Sequence, residues 1–455
     1  MASTKMIYTS PNGVKEQAIA LDRIPQGRYK SRDIQKEQKF LDIDFYHNHI
    51  ALCPKTWSTS PATMVRDISK VGLNRRIFER NRCLGKIVAD EVKTLAKFKQ
   101  SMNQHNTSGT FSTSSLLYYH FSRYFDTAVK VPPAIYREMD KREHRNRVTR
   151  AGRSKTSRGM ISAGWDHLYN AEKNPSSYRP TNELFTPDRS SIYGVLLKGK
   201  GTRYGEEVNG IRSRWGVAQN EDFQKTAPYY ALRSDKPLLE AIKDGKRRAF
   251  RNSKVRRATG EVSDFQMLYW MREISEIALL DYIFSQQDRV GNIDYRWVWY
   301  WVENGKVNKR WQSGSFSRSR MSRQDVPADI AHFSPQLIQR TCLNDNDAGG
   351  RVPYANYAKK TGMLQKLRHI SAKTYTQLVR LNDDLQNQGE IYQYIGDNFI
   401  LDSGQHRQIV KNTRLALDIL QDTCSIDKLR FDLDNPRDFL LTGSAQEQII
   451  NCSTG

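Results

Sequence analysis

A chain of 455 residues can bury a large core, in two or three domains or one two-lobed enzyme, and 38% hydrophobic content with 22 tyrosines favours a folded globule over a disordered chain. Its 72 Lys and Arg against 49 Asp and Glu leave a formal charge of +23. That field suits anionic partners: nucleotides, nucleic acid, acidic proteins or anionic lipid surfaces. No apolar run approaches the roughly eighteen residues that span a bilayer, and the N-terminus lacks a hydrophobic signal core. A soluble, cytoplasmic protein is expected, with delivery into another cell by a non-classical route left open. Cys53, Cys83, Cys342, Cys424 and Cys452 are scattered and odd in number, so no disulfide framework is expected and a reducing compartment fits.

In chain order, residues 1–40 are polar, with Pro11, Gly13, Pro25 and Gly27, and read as a loosely held N-terminal arm. Residues 77–100 carry Ile87, Val88, Val92, Leu95, Ala96 and Phe98 among charges, a pattern open to strand or helix. A Gly, Ser and Thr rich loop follows, then helical spacing over 116–125, which ends before Val129-Lys130-Val131-Pro132-Pro133. Ile135 and Tyr136 resume as a strand. Residues 138–260 are rich in Lys, Arg, Gly and Ser, broken by a strand over 191–197, and read as a basic insertion or linker. Nine of residues 137–158 are Lys or Arg, as are eight of residues 243–257, and residues 309–323 contain no acid. Each such run is a loop or solvated helix face. Helices are expected over 371–386 and 405–422.

Residues 278–301 carry the most information. Ser263 and Gln266 have capping-box spacing, and Phe265, Leu268, Met271, Ile274, Ile277 and Ala278 recur at helical intervals. Asp288-Arg289-Val290-Gly291-Asn292 follows as a polar loop. Then Tyr295, Trp297, Trp299 and Trp301 alternate as in a strand, and Asn304-Gly305 supplies a hairpin turn. An aspartate and an asparagine four residues apart between helix and strand suit phosphoryl transfer. The aspartate can orient or deprotonate a hydroxyl while the asparagine holds a divalent metal beside phosphates.

Together these pieces resemble the atypical kinases related to the phosphatidylinositol 3- and 4-kinases, the HipA-type kinases and the secretory-pathway casein kinases. Ala96-Lys97-Phe98-Lys99 is similar to their lysine-bearing strand, and residues 116–133 to their helix and the prolines leading to the hinge strand. Residues 287–292 resemble their catalytic loop, and Asp345-Asn346-Asp347 their metal-binding Asp-Asn-Gly. The resemblance implies an α+β, two-lobed protein-kinase-like fold with a basic insertion. Its expected parts are the arm at 1–40, an N-lobe and hinge at 41–137, the insertion at 138–260, a C-lobe at 261–430 and a tail at 431–455. It implies ATP and Mg2+ (or Mn2+) as cofactors. Lys99, or Lys97 in its place, would contact the α and β phosphates. Asp288 would orient the acceptor and Arg289 brace the loop, while Asn292 and Asp345, or Asp347 instead, would hold metal.

Three departures stand out. Val290 replaces a histidine common in relatives. Ser114 and Ser115 stand where the helix glutamate would pair the lysine, a role open to Glu91. Finally, 57 positions separate Asp288 from Asp345, so the Ser and Arg rich stretch after Trp311 must loop out. Other signals read blandly: the Gly199–Gly205 stretch as a flexible basic turn, His47, His49 and Cys53 as structural or surface residues rather than zinc ligands, and the aromatic ladder as core. The expected function is phosphorylation of a protein hydroxyl (Ser, Thr or Tyr), with an acidic protein substrate and with nucleic acid or anionic lipid as other partners. The alternatives are a non-catalytic nucleic-acid-binding protein and a nucleotide-binding scaffold without transfer.

Overall fold

The computed structural model describes residues 3–85, 91–157, 159–211 and 214–453. Ile87 and Val88 of the 77–100 segment and Arg158 of the first basic run lie outside the described residues. The fold is α+β and two-lobed. One lobe is built on β1 (Thr4–Thr9), β2 (Lys15–Ala20), β3 (Ile50–Pro54), β4 (Thr63–Asp67), β5 (Lys93–Gln100), β6 (Ala134–Asp140) and β7 (Ser191–Leu197). These form one sheet in the order β1-β2-β6-β7-β5-β4-β3, antiparallel at every pairing. The other lobe is mainly helical around the Asp264–Ile283 helix.

The expected loose N-terminal arm is instead the β1–β2 hairpin at the sheet edge, followed by the Ser31–Leu41 helix. The inward positions of β2 are Glu16, Ala18 and Ala20, and an acid with two alanines makes no visible hydrophobic alternation. The segment is then tied down by ion pairs from Arg23 to Glu37 at 2.5 Å and from Arg123 to Asp33 at 2.9 Å.

Residues 138–260 are not a linker. β7 lies between β6 and β5 in the middle of the sheet, and the Gly159–Lys173 helix buries Trp165, Leu168 and Ala171 in the sheet-lobe core. Several charges that obscured this are consumed internally. Arg137 is fully buried 3.4 Å from Glu16, and Arg147 pairs with Glu79 at 2.6 Å. The chain therefore leaves the sheet after β7, through residues 198–201, rather than near residue 137.

In the helical lobe the Asp264–Ile283 helix is buried from Phe265 to Ile283. Its charged residues are paired, as buried charges require: Arg272 with Glu276 at 2.5 Å, Glu273 with Arg340 at 2.6 Å and Asp281 with Arg289 at 2.8 Å. Ser263 caps the helix by accepting from Gln266 N. The Gln266 side chain does not complete the capping box and instead clamps the backbone of Gln339. The expected C-terminal helices are present as Ala372–Gln386 and Ser403–Ser425.

A second sheet holds β8 (Thr202–Arg203), β9 (Asp294–Glu303), β10 (Lys306–Trp311) and β11 (Gln336–Cys342). The β9–β10 turn uses Asn304 and Gly305, both at positive φ, as a two-residue hairpin demands. Tyr295, Trp297 and Trp299 are buried, with Trp297 stacked on Phe316 at 4.9 Å, so these three rings of the ladder are core, while Trp301 is partly exposed.

The expectation of no disulfides is overturned. Cys53 joins Cys83 and Cys424 joins Cys452, leaving Cys342 as the buried free thiol. Separations of 30 and 28 residues carry no spacing signal; packing of the Arg75–Asn81 helix on β3 makes the first pair, and the returning C-terminal tail makes the second. Among the described residues no helix is long and apolar enough to cross a membrane.

Candidate active site

β5 presents Lys97 and Lys99 two residues apart, hence on one face of the sheet. Lys99 is 3% exposed, and its Nζ lies 2.6 Å from Asp345 Oδ1 and 2.6 Å from Asp347 Oδ2. Burial alone would push this ammonium down. The two carboxylates outweigh it and hold Lys99 above the ordinary lysine range. Lys99 in turn keeps Asp345 ionised well below the usual carboxylate range. Lys97 is lowered by burial and by Lys99. β5 lies so close to β7 that a Cβ on Gly194 would meet the Lys99 carbonyl oxygen at 2.2 Å. Glycine there sets the position of the lysine strand.

The Asp288 loop begins where the Asp264–Ile283 helix ends. Asn292 Nδ2 donates to the Asp288 carbonyl at 2.8 Å, and Gly291 turns the chain at φ +86°. Asp288 is raised above the ordinary aspartate range, first by burial; the Trp215 and Asn292 side chains oppose this by donating to it, while Asp345 and Asp347 repel its charge. Arg289 braces the loop. It reaches both oxygens of Asp281, donates to the Asp345 carbonyl at 3.1 Å and to Asn346 Oδ1 at 3.0 Å. Tyr118 completes the buried knot by donating to Asp281 at 2.6 Å.

The long interval between Asp288 and Asp345 closes simply. β11 pairs directly with β9, in a register that sets Cys342 opposite Asp294. β10 takes the opposite edge of β9, and the 312–335 segment loops out between β10 and β11, with Phe316 and Arg318 packing back on the helical lobe. All seven residues expected at the site converge: Lys97, Lys99, Asp288, Arg289, Asn292, Asp345 and Asp347. Among the described residues the Lys99 ion pairs are with Asp345 and Asp347 rather than with a helix glutamate, and Glu91 is exposed. The lysine takes its carboxylates from the Asp345 loop, and Ser114 touches that loop by donating to the Asn346 carbonyl at 2.6 Å.

Four further residues belong to the site. Lys55, on the β3–β4 connection, is brought down to about 8 by burial and by Lys97. Nothing in the local sequence distinguishes it. Arg203 donates to the Gly291 carbonyl and to Asn292 Oδ1, and reaches Asp345 Oδ2 at 3.2 Å. Its place in the Gly199–Gly205 turn had suggested only flexibility. Asp294, at the head of β9, accepts from Asn344 at 2.6 Å. Trp215 stands over half exposed beside Asp288 and edge-on to Tyr357.

Among the described residues no group of three or more His, Cys, Asp or Glu is arranged to hold a metal, and the Cys53 thiol is spent in a disulfide, which removes a zinc reading. Asn292, Asp345 and Asp347 still fit a nucleotide-borne magnesium, since that ion takes one or two carboxylates and completes its shell with phosphate and water. A cation already bridges Asn292 and Asp345 here, the guanidinium of Arg203.

No family model matches this chain, and no curated protein does. Among solved structures, the crystal structure of the Golgi casein kinase aligns with 88% of this chain and 80% of its own, at 10% sequence identity and a TM-score of 0.40.

Proposed function

We propose that this protein is a phosphotransferase of the atypical kinase type, using ATP and Mg2+ (or Mn2+) and passing phosphate to a protein hydroxyl. The observation that carries the reading is the Lys99 ion pair to Asp345 and Asp347. It joins a strand of the sheet lobe to the loop after β11, which Arg289 ties to the loop bearing Asp288 and Asn292. Few chemistries need one buried cation, paired carboxylates and a separate raised aspartate in one cleft. Phosphoryl transfer needs all three, since catalysis there is largely positioning and charge compensation.

In this reading Lys99, with Lys97 and Lys55 nearby, receives the phosphates. Asn292, Asp345 and Asp347 hold the metal, which when bound supplies charge neutralisation to the transferred group. Asp288 aligns the acceptor hydroxyl and takes its proton, a task suited to a carboxylate raised by burial. The excess positive charge favours an acidic protein substrate. Exposed Arg247, Arg248, Lys254 and Arg257 beside the helical lobe provide one surface for it. Nucleic acid is a weaker candidate, because Tyr295, Trp297 and Trp299 of the aromatic ladder that could stack on bases are buried. Two disulfides favour action in an oxidising compartment over the cytoplasm.

A second reading rests on Arg203. With its guanidinium across Asn292 and Asp345, the site could bind nucleotide without transferring phosphate. Labelled ATP with Mg2+ or Mn2+ and an acidic acceptor separates the two readings when wild type is compared with Asp288→Ala and Asp345→Ala. The kinase reading expects Asp288→Ala to lose transfer by roughly a hundredfold or more while keeping its thermal shift with nucleotide, and Asp345→Ala to lose both. A shift without transfer in wild type supports the scaffold; neither shift nor transfer ends the nucleotide reading.

A further inference from the structure

A cavity of about 410 Å³ lies between the Ser31–Leu41 helix, the turn at 126–133, the linker at 198–200 and the β9–β10 hairpin. Its lining holds eleven Lys and Arg side chains against two acids, Asp33 and Asp126. Both acids are already engaged: Asp33 accepts from Arg123 at 2.9 Å, and Asp126 pairs with Lys373 and with Arg28 at 3.5 Å. The remaining cations line the space with no further carboxylate among the lining residues, and of these Lys198 donates to the Thr94 carbonyl. Lys36 lies only over the ring of Phe40, and Arg296 over Trp311. Cations are not gathered around a concave space without cost unless something anionic offsets their repulsion.

We propose that this cavity is a binding site for a small polyanion carrying several clustered phosphates. Its volume suits a ligand of nucleotide or inositol-phosphate size, and its donors are long, separate Lys and Arg side chains that can each take a different phosphate. The protonation behaviour agrees. Lys130 is pushed down to about 7 by burial and by Arg340, Lys30 and Lys309, and Lys198 and Lys309 are each pushed down to about 8, first by burial. A bound polyanion would restore all three to full charge. The site is distinct from the Lys99 cleft but touches it. Asn344 lines the cavity, precedes Asp345 and donates both to the Lys200 carbonyl at 3.1 Å and to Asp294 at 2.6 Å. Occupancy would thus be felt by the linker between the lobes and by the metal-binding loop. The binding proposal itself stands whether or not the protein transfers phosphate.

Titration calorimetry and thermal shift of the full chain with inositol hexakisphosphate, with inorganic tripolyphosphate and with vesicles containing phosphatidylinositol 4,5-bisphosphate test it. Micromolar binding of at least one probe is expected, weakened at least tenfold by Lys36→Gln/Lys309→Gln. The cleft pair Lys55→Gln/Lys97→Gln and the distant pair Arg247→Gln/Arg248→Gln should leave it within about twofold. Binding of the soluble probes assigns a free polyphosphate; binding of the vesicles alone assigns a lipid headgroup. No binding of any probe overturns the proposal. So does loss in the cleft pair with none in the cavity pair, or equal loss in all three pairs. Lys130→Met, which removes a partly buried cation without adding charge, is a second cavity variant should the first fail to fold, and the same tenfold loss is expected of it.

Discussion

Lys99 is held by two carboxylates at once, and one ammonium cannot be removed without leaving two acids facing each other. Asp345 keeps a quarter of its side-chain surface exposed, whereas Asp347 and Lys99 are nearly buried. Lys99→Met should therefore destabilise the fold by about 3–5 kcal/mol, the cost of leaving buried charge unpaired, and should abolish any nucleotide-dependent thermal shift. Lys97→Met should cost little, because Lys97 is a burdened cation that Lys99 already repels. Urea unfolding of both variants measures this; equal stability of the two would refute the assigned hierarchy. The residue-level pattern explains why both lysines looked alike in sequence. They share a strand face two residues apart, and only a carboxylate pair 246 positions away on the chain separates them.

At the scale of elements, legibility followed chemistry that is local. The Asn304-Gly305 turn, the Ser263 cap and the C-terminal helices were readable because turn residues, caps and helical periodicity act within a few residues. The N-terminal hairpin was not, because the inward face of β2 is Glu16 with two alanines, and that acid finds its partners far along the chain, in Arg137 and the Asp140 amide of β6 and in the Tyr46 hydroxyl. Glu16 is pushed up to about 7 by burial, with Arg137 opposing. A buried acid with a raised folded pKa stabilises most when protonated, so its contribution is full near pH 4 and is lost as pH rises through about 7. The difference amounts to about 3 kcal/mol. Melting wild type beside Glu16→Gln from pH 4.5 to 8 should show wild type losing ground steadily to the variant; a constant gap would remove Glu16 as the cause. Gly194 was equally silent in sequence, since its need arises from β5 alongside. Gly194→Ala must move the Lys99 carbonyl and should cost about 1–3 kcal/mol as overpacking. If the Lys99 strand positions the nucleotide, the variant should also weaken nucleotide binding beyond what its melting temperature explains.

Across the whole molecule, the arrangement of lobes is set by long-range closures that sequence spacing does not announce: β7 returning to the middle of the sheet, β11 pairing with β9 on the edge opposite β10, and two disulfides. The Cys53–Cys83 bond ties β3, which leads into Lys55, to the end of the Arg75–Asn81 helix. The Cys424–Cys452 bond fastens the tail to the Ser403–Ser425 helix, and Tyr375 of the Ala372–Gln386 helix also donates to the Cys452 carbonyl at 2.6 Å. Loops of 30 and 28 residues each restrict the unfolded chain by about 3–4 kcal/mol in the loop-entropy estimate. Cys342 is buried and its thiol is pushed up to about 12 by burial, so it should not react in the native state. Protein produced under oxidising conditions should label at no cysteine when folded and at Cys342 alone when denatured without reductant, read by mass spectrometry. Prior reduction should expose five thiols and lower the unfolding midpoint. Cys53→Ser/Cys83→Ser should loosen the sheet lobe and weaken the nucleotide shift through Lys55, whereas Cys424→Ser/Cys452→Ser should lower stability while leaving that shift intact. Labelling of all five cysteines without reductant would remove both bonds, and with them the case for an oxidising compartment.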